Sequence, residues 1–116
     1  MTKLMMLFNF GDVVLVPFPF TNQITSKQRP AVIISTKEYA NSRPDVVLMT
    51  ITSQIQSPLG FADTLLADWQ YANLLKPSVV KPVFTSFEQK LVIKQLGALS
   101  ENDQAALRLN IKLAIG

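Results

Sequence analysis

Apolar positions along this chain fall in short β-branched runs broken by Pro, Gly and polar turns, and only the C-terminal segment is long enough for a sizeable helix. Gly11-Asp12 is a turn signal, and Val13-Val14-Leu15-Val16 after it reads as a buried strand. In Pro17-Phe18-Pro19-Phe20 the prolines forbid a central strand, which leaves a strand edge or a loop, with the two aromatic rings expected in the core. Thr21 to Gln28 is polar, has no periodicity and reads as a loop. Ala31 to Ser35 is the next strand, Thr36 to Arg43 a helical turn closed by Pro44, and Asp45 to Thr52 a strand with β-branched residues at most positions.

The second half is less regular. Phe61 to Leu66 and Asp68 to Leu75 mix apolar and polar residues without a clear period. Val79-Val80 and Val83-Phe84-Thr85 read as two short β pieces separated by Lys81-Pro82, and Leu91-Val92-Ile93 leads to Gln95-Leu96-Gly97 as another strand and stop. Ser100 followed by Asp103 resembles a capping box, and Leu99 before it supplies the apolar residue that precedes such a cap. A helix is expected from there through Ala106, Leu107, Leu109, Ile111, Leu113 and Ala114. Many short strands, one helix and no βαβ rhythm predict a mainly β domain: a small, strongly curved sheet or barrel with a C-terminal helix packed against it. Residues 1–116 read as a single domain.

Composition sharpens this reading. With 48% hydrophobic and 16% charged residues the chain is apolar for its size, so a partner or second copy is expected to cover part of its surface. The formal charge of +3 permits binding to a polyanion without demanding it. There is no Cys and no His, which excludes disulfides, thiolate chemistry and the Ser-His and Cys-His nucleophile pairs. The apolar run Leu4 to Phe8 is too short for a signal peptide, no stretch approaches a membrane span, and a cytoplasmic protein is expected.

The eight carboxylates are spread thinly, with no local spacing that would hold a divalent metal, and there is no phosphate-cradling Gly-rich loop. No metal or other cofactor is implied. What remains is chemistry by Arg, Lys, Thr, Ser and Gln. Arg29 stands out, because Lys27-Gln28-Arg29-Pro30 ends a polar run at the mouth of a strand, with Pro30 biasing Arg29 toward an extended conformation. A guanidinium there is either a surface cation or a bidentate phosphate ligand. Such a set can bind a phosphodiester and stabilise charge that develops on it, and RNA supplies its own nucleophile in the 2′-hydroxyl.

Four segments occur in a recognisable order: Gly11-Asp12-Val13-Val14, Arg29-Pro30-Ala31-Val32-Ile33, Ile51-Thr52-Ser53-Gln54, and a closing helix that ends at Gly116. Together they resemble the MazF/PemK family of toxin endoribonucleases, and Leu74 to Pro82 resembles its PemK-like branch. The resemblance implies an SH3-like β-barrel homodimer, metal-independent and sequence-specific cleavage of single-stranded RNA, and inhibition by a cognate antitoxin. DNA would be contacted only indirectly, through the toxin–antitoxin complex. Carried over by position, Arg29 would act on the phosphate and Thr52 would bind it from the facing strand. Thr21, Lys27, Gln28, Ser53, Gln54, Lys76, Ser78 and Lys81 would contact the RNA, with Pro17 to Gln28 as a loop over the groove.

Two departures from the family pattern bear on mechanism. Where some members carry an Arg and an Asp as acid and base, this chain has Ser78-Val79-Val80-Lys81-Pro82, and where others carry a Glu ahead of the Arg-Pro pair it has Ile24 and Thr25. Serine and threonine hydroxyls are poor bases without activation, so the general base is not identified by the sequence. A gyrase-poisoning toxin of the CcdB type and a non-catalytic RNA-binding module remain alternatives, although the only Trp is Trp69, far from the C-terminal position that the first of these uses.

Overall fold

The computed structural model describes residues 7–18 and 27–116. Six strands form one antiparallel sheet: β1 (Asp12–Phe18), β2 (Lys27–Ile33), β3 (Asp45–Thr52), β4 (Thr64–Leu65), β5 (Val79–Glu88) and β6 (Lys94–Ala98). Two α-helices complete the fold, α1 (Lys37–Ser42) after β2 and α2 (Glu101–Ile115) at the end. Strand order across the sheet is β4-β5-β3-β2-β1-β6. The sheet curls into a half-barrel, the mainly β architecture with a C-terminal helix that the sequence pattern predicts.

Alternation along the strands gives the sheet two buried faces. Val13, Val32, Met49, Ile51 and Val80 pack with Leu66, Ala72, Leu74, Leu99 and Leu107, which brings α2 and the segment before β5 onto one face. Val14, Val16, Ala31, Ile33, Val46 and Leu48 pack with Phe8, Ala40 and Phe87 on the other, under α1. Strands buried on both sides read as continuous apolar runs, which is why Val13 to Val16 and Val46 to Ile51 lack a polar alternation.

Both helix starts follow the sequence. Thr36 caps α1 by accepting from the Tyr39 N–H (3.1 Å), and Ser100 caps α2 by accepting from the Asp103 N–H (3.2 Å). The second half of the expected capping box is spent elsewhere. Asp103 is 1% exposed, and its carboxylate accepts from the backbone N–H groups of Ala67 (2.9 Å) and Asp68 (2.8 Å). It pins the segment before β5 to the first turn of the helix.

Several sequence expectations are corrected. The pieces at Val79-Val80 and Val83 to Thr85 are one strand, because three residues, Lys81 to Val83, bulge opposite Thr50 between the pairs Ile51↔Val80 and Met49↔Phe84. A bulge tolerates a proline that has no N–H for the ladder, and it re-aims the residues it contains. Leu91 lies in a single 3₁₀ turn (Gln89–Leu91) and strand pairing begins only at Lys94. Pro17 lies within β1, where its cross-strand partner is Gln28 and the pairing with β6 has already ended, so the strand-edge reading of that segment holds. Phe18 is exposed rather than in the core. Phe20, Thr21, Ile24 and Thr25 lie outside the described residues.

Candidate active site

Antiparallel pairing sends the C-terminal ends of β1 and β3 to the same edge of the sheet as the N-terminal ends of β2, β5 and β6. A groove of about 750 Å³ lies along that edge. Its walls come from Phe18 at the end of β1, Gln28, Arg29 and Pro30 at the start of β2, and Thr50 to Gln54 at the end of β3. Ser78 just ahead of β5, and Lys94 and Leu96 of β6, complete the sheet side. The segment Asn73-Leu74-Leu75-Lys76 forms the remaining wall.

Arg29 and Thr52 line the groove from neighbouring strands. The β2–β3 ladder pairs Ile33↔Leu48, Val32↔Met49 and Ala31↔Thr50, and the same register continued two residues sets Arg29 opposite Thr52. The pairing stops at Ala31, so at Arg29 and Thr52 the two strands no longer bond and the groove opens between them. Thr52 Oγ1 accepts from the Gln54 N–H (3.1 Å), which turns the chain after β3 and leaves the hydroxyl hydrogen to donate. On β1, Leu15 pairs with both Pro30 and Lys94, so these three form one row across β2, β1 and β6. Arg29 belongs to the alternate row with Val16. Residues from both alternating sets line this one groove at the strand ends.

A hydrogen bond joins the far wall to β6. Asn73 takes a left-handed backbone conformation (φ 63°), which asparagine tolerates, and its side-chain amide donates to the Leu96 carbonyl of β6 (2.7 Å). Beside it, a Cβ on Gly97 would stand 3.0 Å from the Ala72 carbonyl oxygen and 3.0 Å from the Asn73 amide nitrogen. Glycine is what lets the segment approach β6 so closely.

Of the residues singled out by sequence, Arg29, Thr52, Gln28, Ser53, Gln54, Lys76 and Ser78 line this groove. Lys27 does not, and pairs with Phe18 at the end of the β1–β2 ladder. Lys81 does not either. The bulge turns it to Asp63, where Nζ sits 2.8 Å from Oδ2 of a carboxylate that is 3% exposed, so it offsets a buried charge instead of meeting a ligand. Thr21 lies outside the described residues. Ser78 is buried, and its hydroxyl donates to the Lys76 carbonyl (2.8 Å), which makes it a brace for the wall. Sequence reasoning missed Asn73 and Lys94. The signal for Lys94 is a single cation between the apolar runs Leu91 to Ile93 and Leu96, too slight by itself to place it at a groove.

The charge balance of the groove is one-sided. Among the described residues its lining holds three cations, Arg29, Lys76 and Lys94, and no carboxylate. Segments 1–6 and 19–26 contain no Asp or Glu. Arg29 supplies a planar fork suited to a phosphate, the lysines supply point charges, and Thr52, Ser53, Gln54 and Gln28 supply polar groups for hydrogen bonding. Such an arrangement has the chemistry to bind an anion.

A curled antiparallel half-barrel with a C-terminal helix and a cationic groove at one sheet end defines a small, mainly β fold with a candidate anion-binding site. The model of the PemK-like, MazF-like toxins of type II toxin–antitoxin systems matches residues 9–115, and the chain belongs to that family. Similar solved structures include a MazE–MazF complex from Deinococcus radiodurans, 19% identical with a TM-score of 0.76 over 96% of this chain and 98% of that one. An endoribonuclease from a mycobacterial species, in complex with its cognate antitoxin, is 14% identical with a TM-score of 0.75 over 93% and 94%. The Mycobacterium tuberculosis toxin MazF-mt6 is 18% identical with a TM-score of 0.72 over 89% and 94%. No curated protein matches the chain. At these identities the structures establish the fold. No helix among the described residues is long and apolar enough to cross a membrane.

Proposed function

We propose that this toxin is a metal-independent endoribonuclease that cuts single-stranded RNA in the cytoplasm by attack of the 2′-hydroxyl on the adjacent phosphate. The observation that carries this reading is the groove that Arg29 and Thr52 line from neighbouring strands, among cations and, among the described residues, without a carboxylate. The 2′-oxygen forms a bond to phosphorus as the bond to the 5′-oxygen breaks, and the departing 5′-oxygen takes a proton from water, leaving a cyclic phosphate and a 5′-hydroxyl. Arg29 holds the phosphate by two parallel hydrogen bonds and stabilises the charge that builds on its oxygens, and Thr52 donates from the facing strand. With no carboxylate in the lining, water takes up the 2′-hydroxyl proton, and alignment and charge stabilisation carry the rate.

The test is cleavage of a long unstructured RNA in EDTA, beside a DNA copy and an RNA methylated at the 2′-oxygen. Cutting of the native RNA alone, undiminished by EDTA, is expected. Loss of cutting in EDTA, or equal cutting of the methylated RNA, would overturn the mechanism. Binding of RNA without any cleavage would leave a non-catalytic module.

The same reading makes the toxin a homodimer held by a cognate antitoxin. Leu109, Leu113 and Ile115 stay exposed on α2, apolar surface of the kind that a second copy covers. Sedimentation at micromolar concentration should show a two-chain species, and a persistent monomer would sink the dimer. The mycobacterial endoribonuclease of the same fold is bound by its own antitoxin, which supports a protein inhibitor for this chain as well. An acidic antitoxin segment would lie over Arg29 and Phe18, folding as it binds. Unchanged antitoxin affinity after Arg29→Ala with Phe18→Ala would place its site elsewhere.

A further inference from the structure

We infer that Lys94 is a second phosphate-binding residue of the groove, holding the RNA backbone one or two nucleotides from the phosphate at Arg29. The inference rests on the ribonuclease reading and deepens it by assigning the path of the strand. Lys94 opens β6 and is exposed. Its cross-strand partner Leu15 is also the partner of Pro30, the residue after Arg29, so Lys94 stands two strands away from the β2 end of the groove. At roughly 4.8 Å per strand this is a separation of about 10 Å, a distance covered by one or two steps of an extended nucleic-acid strand.

The charge pattern fits a ligand there. Among the described residues Lys94 forms no ion pair, whereas Lys81 and Lys90 each meet a carboxylate. Cations gathered in one groove repel one another unless an acid stands among them, and no acid lines this one. Arg29, Lys76 and Lys94 all line one groove, which an anion with more than one charge would neutralise. Lys94 and Leu96, two residues apart on β6, both face it, so the backbone would pass over Lys94 while apolar surface at Leu96 and Leu15 lies beneath. An ammonium is a point charge that tracks a phosphate without fixing its orientation, which suits a positioning role and leaves the bidentate one to Arg29.

The experiment measures binding of an uncleavable 2′-O-methyl RNA across a series of salt concentrations, for the wild type, Lys94→Gln and Lys94→Arg, together with steady-state cleavage of the native RNA. Removing one cation that neutralises a phosphate of single-stranded RNA reduces the steepness of log K against log salt by about 0.7. Lys94→Gln is expected to show that reduction and to raise KM several-fold while kcat changes less than KM, and Lys94→Arg is expected to restore the slope. An unchanged slope and KM in Lys94→Gln would overturn the inference, and so would a fall confined to kcat, which would place Lys94 at the reacting phosphate instead. Failure of the wild type itself to bind RNA would overturn the ribonuclease reading, a result distinct from either.

Discussion

Asn73 lies against Gly97 so closely that a single methyl group at position 97 would touch its amide nitrogen at 3.0 Å. This contact, with the 2.7 Å hydrogen bond from Asn73 to the Leu96 carbonyl, joins the segment before β5 to β6 and gives the groove its far wall. The groove is thus closed through a bond between two parts of the chain that the strand ladders do not connect.

Gly97→Ala is therefore expected to act on both stability and the site. The added Cβ meets the backbone carbonyl of Ala72, which has no rotamer by which to yield. Overpacking of this kind costs about 1–3 kcal/mol. Urea unfolding should show a lower midpoint with an unchanged slope, and RNA affinity should fall as Asn73 is displaced. An unaltered midpoint would mean that the segment moves freely, and that the groove is not held by this contact.

Arg29→Ala is expected to lower cleavage by on the order of 10²- to 10³-fold, the usual loss on removing one charge-stabilising donor. Arg29 is exposed, so circular dichroism and the unfolding midpoint should stay near the wild type. Arg29→Lys should remain poor, because an ammonium cannot reproduce the fork. Thr52→Ala should cost less, about 10-fold, in line with one hydrogen bond to a charged group. Wild-type rates in Arg29→Ala would remove Arg29 from the reaction.

Asp103→Ala should destabilise the fold strongly. It strips two backbone N–H groups, those of Ala67 and Asp68, of their partner in a site that is 1% exposed. Both bonds are part-buried at the donor side, so each loss falls toward the lower end of the range of about 1–3 kcal/mol that an unpaired buried donor costs. Asp103→Asn keeps one acceptor oxygen and should fall between the two. Equal stability of all three proteins in urea would mean that water replaces the carboxylate without penalty.

Two carboxylates give the stability opposite dependences on pH. Burial pushes Asp12 above its usual 3.8, against the opposing effects of the Asn9 backbone N–H, Gln95 and Lys37. The folded state then holds this proton more tightly than the unfolded chain, so stability declines as pH rises from 3.8 through the raised value. Asp12→Asn should flatten that decline. Asp45 is held below 3.8 chiefly by the Ser86 hydroxyl, with Arg43 assisting. Its contribution is present above 3.8 and is lost as pH falls through the lowered value. Ser86→Ala should weaken that acid-side loss, read as unfolding midpoints between about pH 2 and 5. Identical pH profiles for wild type and both variants would mean that neither carboxylate is perturbed.

The sequence determined the elements of this protein wherever the cause is local. The β-branched runs of β1, β3 and β2 from Ala31, the Ser100 cap and the Arg-Pro seam at Arg29 depend on near neighbours and are legible in residue order, whereas Lys27 and Gln28, read as loop, join β2 by pairing with Phe18 and Pro17. Tertiary structure decided the rest. Pro82 reads as a break until a bulge opposite Thr50 absorbs it, and that same bulge withdraws Lys81 from the groove and gives it to Asp63. Asp103 reads as half of a capping box until Ala67 and Asp68, more than thirty residues away, present their N–H groups to it. Lys94 carries only a weak local mark, a lone cation between two apolar runs. It becomes a groove residue because antiparallel pairing brings the start of β6 to the same edge as the start of β2 and the end of β3, and strand order in space is fixed by long-range pairing that no local run of residues encodes.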